Sequence, residues 1–128
     1  MRIEHLAIWV IELEASKKFY ETYFDANSGQ RYLNPSKQFT SYFLDFNSGS
    51  RLELMHRPDI TKVLDQGKES IGLAHFAISV GSEEKVDSLT EQLRQDGFQI
   101  LGEPRTTGDG YYESIALDPD GNKIEITV

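Results

Sequence analysis

Counted in twos from its fifth residue, the chain separates cleanly: Leu6, Ile8 and Val10 are apolar, while His5, Ala7 and Trp9 fall on the other parity. A period of two marks a strand with one face turned to a core. From about Glu12 to Phe24 the spacing lengthens to that of a helix. Ala15, Phe19, Tyr20, Tyr23 and Phe24 lie on one side and Glu14, Lys17, Lys18 and Glu21 on the other. Three strand-like stretches follow, at about Gln30 to Leu33, Phe39 to Phe46 and Arg51 to His56. Asn47-Ser48-Gly49 is the predicted hairpin turn between the last two.

The same order then recurs. His5-Leu-Ala-Ile-Trp-Val10 returns as His75-Phe-Ala-Ile-Ser-Val80, and Leu52-Glu53-Leu54 returns as Ile124-Glu125-Ile126. In the second copy Ser82 is the predicted N-cap, Glu83 and Glu84 suit the first turn, and Val86, Leu89 and Leu93 form the apolar stripe. Gly97 ends the helix. Strands are expected at about Phe98 to Glu103, Tyr111 to Leu117 and Lys123 to Val128, with Asp118-Pro119-Asp120-Gly121 as the matching hairpin turn. Residues 58–71, with Pro58 and Gly67, read as a linker carrying a short helix near 61–64. The pattern predicts an α+β fold in one domain, 1–128, built of two βαβββ modules at about 1–57 and 72–128.

Parity also sorts the polar residues. Glu53 goes with Arg51 and Met55, against Leu52 and Leu54. Glu125 goes with Lys123 and Thr127, against Ile124 and Ile126, and His75 goes with Ala77 and Ser79. If the apolar faces pack on the helices, then His5, Glu53, His75 and Glu125 all take the opposite face. Singly, each is an ordinary strand residue. At equivalent points of both copies, and on one parity in all four strands, they read together as metal ligands. His56 falls on the apolar parity and stays outside the set.

Composition narrows the chemistry. Without cysteine, thiolate metal sites, disulfides and thiol nucleophiles are excluded, so a metal must be held by nitrogen and oxygen. Two imidazoles and two carboxylates suit one borderline or hard divalent ion such as zinc, nickel, manganese, cobalt or iron. The net charge of -8, with lysines and arginines scattered, argues against a nucleic-acid partner. No apolar run approaches the roughly 18 residues of a membrane span. The first residues lead straight into a strand without a leader pattern, so a cytoplasmic location is expected.

These segments resemble the vicinal oxygen chelate superfamily, which includes glyoxalase I, bleomycin-resistance proteins, fosfomycin-resistance enzymes, methylmalonyl-CoA epimerase and extradiol dioxygenases. The residues that carry the resemblance are His5 with its Ala-Ile-Trp-Val continuation, Phe19-Tyr20, Leu52-Glu53-Leu54, Ala74-His75-Phe-Ala-Ile-Ser-Val80 and Asp118-Pro-Asp-Gly-Asn-Lys-Ile-Glu125-Ile126. It implies a curved mixed-sheet cup with helices on its outer face and one ion held by His5, Glu53, His75 and Glu125. It further implies a small-molecule substrate that chelates the ion through neighbouring oxygens, and a homodimer.

In that family the dioxygenases and fosfomycin enzymes generally use two histidines and one glutamate, so Glu53 as a second carboxylate favours a glyoxalase-like lyase or isomerase. Such an enzyme takes a proton beside a metal-polarised carbonyl, with Glu125 or Glu53 as the base. Glyoxalase I carries an arginine where this chain has Trp9, and an asparagine that Glu53-Leu-Met-His-Arg-Pro-Asp59 lacks. The set that holds glutathione is therefore incomplete. Trp9 is a candidate substrate-binding wall, although a strand tryptophan packs at least as often. Arg51, Arg105, Tyr111 and Tyr112 are weaker candidates for anion contacts, being normally solvated types. Two other readings stay open: a non-catalytic ligand-sequestering protein like the bleomycin-resistance proteins, and an Fe(II)-dependent dioxygenase.

Overall fold

The computed structural model describes residues 1–61 and 71–128. The short helix expected near 61–64 falls, apart from its first residue, outside the described residues. The chain divides into two compact units, Met1–Lys62 and Val63–Val128.

The first unit runs β1 (His5–Trp9), α1 (Leu13–Phe24), β2 (Asn27–Ser28), β3 (Tyr32–Asn34), a 3-10 turn at Pro35–Lys37, β4 (Phe39–Asp45) and β5 (Arg51–His56). Its sheet has the order β1-β5-β4-β2, with β3 also on β4. β1 and β5 are parallel and the remaining pairs antiparallel. The second unit runs β6 (Phe76–Ser79), α2 (Glu83–Gln95), β7 (Ile100–Thr106), β8 (Tyr112–Leu117) and β9 (Lys123–Thr127). Its order is β6-β9-β8-β7, again with one parallel pair, β6 and β9. Among the described residues each unit is thus a mixed sheet with one α-helix, an α+β arrangement.

Burial follows the parity of the sequence. Leu52, Leu54, Ile124 and Ile126 are buried to 3% exposure or less, on the face against which α1 and α2 pack. Ser82 caps α2 as expected, its hydroxyl accepting from the Lys85 N–H at 3.3 Å. At the other end Gly97 N–H donates to Arg94 O at 3.1 Å and Phe98 N–H to Leu93 O at 2.9 Å, with Gly97 at φ 89°. This is a Schellman closure. It also explains why the strand expected from Phe98 begins only at Ile100: Phe98 N–H is spent on the helix. β7 then continues through Pro104 to Thr106, which an edge strand tolerates because the missing N–H costs no ladder bond.

Two helix stripes and one strand differ from expectation. In α1 the buried residues are Leu13, Ser16, Phe19, Tyr20 and Phe24, while Ala15 is exposed and Tyr23 half-buried, because the helical period runs from Leu13. In α2 the buried set is Val86, Thr90 and Leu93, with Leu89 half-buried. Thr90 is admitted because its hydroxyl donates to Val86 O at 2.6 Å and meets the buried Ser114 hydroxyl on β8 at 2.6 Å. The single strand expected at Gln30 to Leu33 is two short ones, Asn27–Ser28 and Tyr32–Asn34, that pair with opposite ends of β4. Gly29, whose N–H still donates to Phe43 O at 3.0 Å, opens the interruption. Glycine is weakly held in a strand, having no side chain to pack.

Candidate functional site

Parallel pairing of β1 with β5 sets His5 beside Arg51, Ala7 beside Glu53 and Trp9 beside Met55. Because Ala7 is only a methyl group, the His5 ring and the Glu53 carboxylate approach each other diagonally across it. His5 Nε2 and Glu53 Oε2 are 4.0 Å apart, with the His5 side chain 40% and Glu53 15% exposed. The other ring nitrogen, Nδ1, lies 2.6 Å from Glu4 Oε2. Glu4 Oε1 in turn accepts from Arg51 Nε at 3.0 Å and from Arg51 Nη2. The His5 and Arg51 hydrogen bonds hold the Glu4 carboxyl below its ordinary pKa.

The second unit repeats the arrangement. Ala77 stands beside Glu125 on the parallel β6–β9 ladder, and His75 Nε2 lies 3.1 Å from Glu125 Oε2. On the antiparallel neighbour β8, Ile115 is opposite Glu125, so Glu113, two residues earlier, shares that face. The Glu113 side chain is 12% exposed and faces Arg105 Nη2 at 3.7 Å. Loss of solvent, and then the charge of Glu125, push its carboxyl upward against the opposing pull of Arg105.

The donor sets fit a divalent ion. Two ligand atoms each about 2.1 Å from one ion, at tetrahedral or octahedral angles, stand roughly 3.0–3.4 Å apart. The 3.1 Å of His75 and Glu125 falls within that span, and the 4.0 Å of His5 and Glu53 lies about half an ångström or more outside it. Neither unit, among its described residues, gathers three or more His, Asp or Glu side chains into one such group. Each offers a pair.

Trp9 is on the His5 parity and 39% exposed; Phe39 meets it edge-on at 6.1 Å and the Arg57 guanidinium lies 5.4 Å from its centroid. Tyr32 continues this aromatic row from Phe39 at 6.0 Å. His56 is accounted for elsewhere, its Nδ1 lying 3.2 Å from Val10 O. The weaker anion-contact candidates are engaged within the fold: Arg51 with Glu4, Arg105 with Glu113, and Tyr112, whose hydroxyl donates to Asp87 at 2.8 Å. Tyr111 is 60% exposed.

Two residues of these clusters escaped the sequence reading. Glu4 precedes β1, where strand parity says nothing about direction. Glu113 carries a legible signal, a charged residue on the parity of Ile115 in an otherwise apolar and small strand.

Among the described residues no helix is long and apolar enough to cross a membrane. The glyoxalase family model, described as the Glyoxalase/Bleomycin resistance protein/Dioxygenase superfamily, matches residues 2–126. Glyoxalase I from Zea mays superposes with a TM-score of 0.80 at 28% identity, over 98% of this chain and 44% of that one. This chain thus spans less than half the length of the maize enzyme. The trypanothione-dependent glyoxalase I of Leishmania major superposes at 0.77 with 27% identity, over 99% and 86%. A glyoxalase family protein from Enterococcus faecalis shares the fold at 0.79 with 24% identity, over 99% and 97%. No curated protein matches the chain.

Proposed function

The chain belongs to the glyoxalase/bleomycin resistance protein/dioxygenase superfamily, and from that premise we propose that it is a metal-dependent, glyoxalase-like lyase or isomerase. Its proposed substrate is a small oxygen-rich molecule that loses a proton beside a carbonyl. His5, Glu53, His75 and Glu125 are the proposed ligands of one divalent ion, zinc or nickel ahead of manganese, cobalt or iron, in a protein that works as a homodimer.

The observation that carries this reading is the repeated pair, a histidine and a half-buried glutamate meeting across an alanine on a parallel ladder, with His75 and Glu125 at 3.1 Å. When bound, the ion supplies Lewis-acid polarisation of the substrate carbonyl. The protein's own part is to hold and move the proton. Glu53 and Glu125 are the candidate bases, each a carboxylate at 15–17% side-chain exposure and so partly screened from bulk water. Trp9 is the proposed wall against which the substrate's apolar part lies.

A second reading, ligand sequestration without chemistry, draws on the aromatic row of the exposed Trp9 and Tyr32 with the half-buried Phe39 between them. Elemental analysis of untagged wild type, Glu53→Ala and His75→Ala separates the two. The enzyme reading expects about one metal per chain, lost in both variants. Wild type that takes up no metal after reloading overturns it and leaves sequestration. Turnover of methylglyoxal with glutathione by the loaded protein then decides between glyoxalase I chemistry and another substrate.

A further inference from the structure

His5 and His75 hold equivalent places in the two units, yet the residue before each differs: Glu4 in the first, Ala74 in the second. Glu4 is gripped on both oxygens, Oε2 by His5 Nδ1 at 2.6 Å and Oε1 by Arg51 Nε at 3.0 Å. Arg51 is itself anchored. Its main-chain N–H donates to Glu4 O at 3.1 Å, and its guanidinium lies 4.3 Å from the centroid of Phe43. The Phe43 ring in turn packs edge-on against His5 at 5.3 Å. The Ser50 hydroxyl, donating to Ile3 O at 2.6 Å, ties the same two segments once more. The His5 ring is therefore held both at one nitrogen and on its side.

An ionised carboxylate only accepts hydrogen bonds, so the nitrogen it meets must carry the proton. A neutral imidazole protonated at Nδ1 keeps its lone pair at Nε2, the atom that faces Glu53. We infer that Glu4, anchored by Arg51, is a positioning residue that locks His5 in the Nδ1–H tautomer with Nε2 open toward Glu53. The second unit has no carboxylate at the corresponding position. The inference rests on the metal reading above for its purpose, but the tautomer is a property of the metal-free protein. Partners of this kind orient a ligating histidine and raise its basicity, and their loss typically costs about tenfold to hundredfold in metal affinity.

The test is a long-range 1H–15N correlation of the histidine rings in 15N-labelled, metal-free protein, at a pH where imidazoles are neutral, followed by a zinc titration. In wild type His5 is expected as the Nδ1–H tautomer. In Glu4→Ala it shifts toward Nε2–H while His75 is unchanged. Glu4→Gln, which keeps a carbonyl acceptor, recovers part of the wild-type signature. Zinc affinity falls about tenfold or more in Glu4→Ala. The same His5 tautomer in wild type and Glu4→Ala, or unchanged zinc affinity, overturns the inference. So does an equal shift of His5 and His75, which marks a general structural change. Wild type that binds no zinc sinks the metal reading, and the tautomer comparison still decides the role of Glu4.

Discussion

The His75 imidazole, one residue before β6, stands 3.1 Å from the Glu125 carboxylate on β9. They meet because Ala77, the residue beside Glu125, presents only a methyl group to that face. The contact therefore depends on a third residue that carries no chemistry.

Ala77→Leu is expected to weaken zinc binding by about tenfold or more, on the scale at which displaced supporting groups act on a ligand. Stability should stay within about 0.5 kcal/mol, since Ala77 is exposed. Calorimetric titration with zinc, beside a urea melt of each protein, checks both halves. Unchanged affinity would remove Ala77 from the account.

Glu113 gives a pH signature. Its carboxyl is raised by desolvation first and by Glu125 second, so in the metal-free protein its titration midpoint is expected above 4.5. Glu125→Gln removes one raising cause, leaving desolvation and the weaker charge of Asp109, and should lower that midpoint. The sign for stability follows from linkage. A carboxyl raised on folding favours the folded state at pH below its unfolded value, and that advantage is lost as pH rises through the folded value. Glu113→Gln should accordingly gain stability relative to wild type as pH rises through this range, less whatever its contact with Arg105 contributes. Carboxyl 13C titration and urea melts at pH 4 and pH 7 read the two effects.

Asp118 holds the β8–β9 turn, and with it the register that places Glu125. It is 4% exposed; Oδ1 accepts from the Asp120 and Asn122 N–H groups at 3.0 and 2.8 Å, and Oδ2 from Asn122 Nδ2 at 2.8 Å. Asp118→Ala is expected to cost about 1–3 kcal/mol. Asp118→Asn should cost less, because one acceptor oxygen is kept. The urea midpoint measures the difference.

Ile126 is fully buried on the helix-facing side of β9. Ile126→Ala should cost about 2–5 kcal/mol through lost burial and the cavity left behind. Thr127→Ala, one residue on and half-buried, should cost less. The same melts rank the pair, and equal losses would mean that the face assignment of β9 is wrong.

Much of this molecule is legible from spacing alone. The duplication, both helices, the cap at Ser82 and the stop at Gly97 follow from local pattern, because helix and strand periods and capping chemistry act over a few residues. The sides taken by His5, Glu53 and Glu125 are legible for the same reason, since alternation leaves a strand residue only two faces; His75, like Glu4, stands one residue before its strand. Where strand bounds and expectation part, backbone groups are taken by other partners. Phe98 is spent on closing α2, and the stretch around Gly29 divides because its two halves reach different parts of β4.

The sequence by itself therefore determined the faces of His5, Glu53 and Glu125, since that requires only counting along one strand. Tertiary structure alone decided which atoms meet. The Glu4 carboxylate reaches His5 Nδ1 because Arg51, distant in sequence, anchors it. Glu113 comes near Glu125 because the β8–β9 register sets them on one face. Register and side-chain reach are fixed by partners far along the chain, and no local period encodes them.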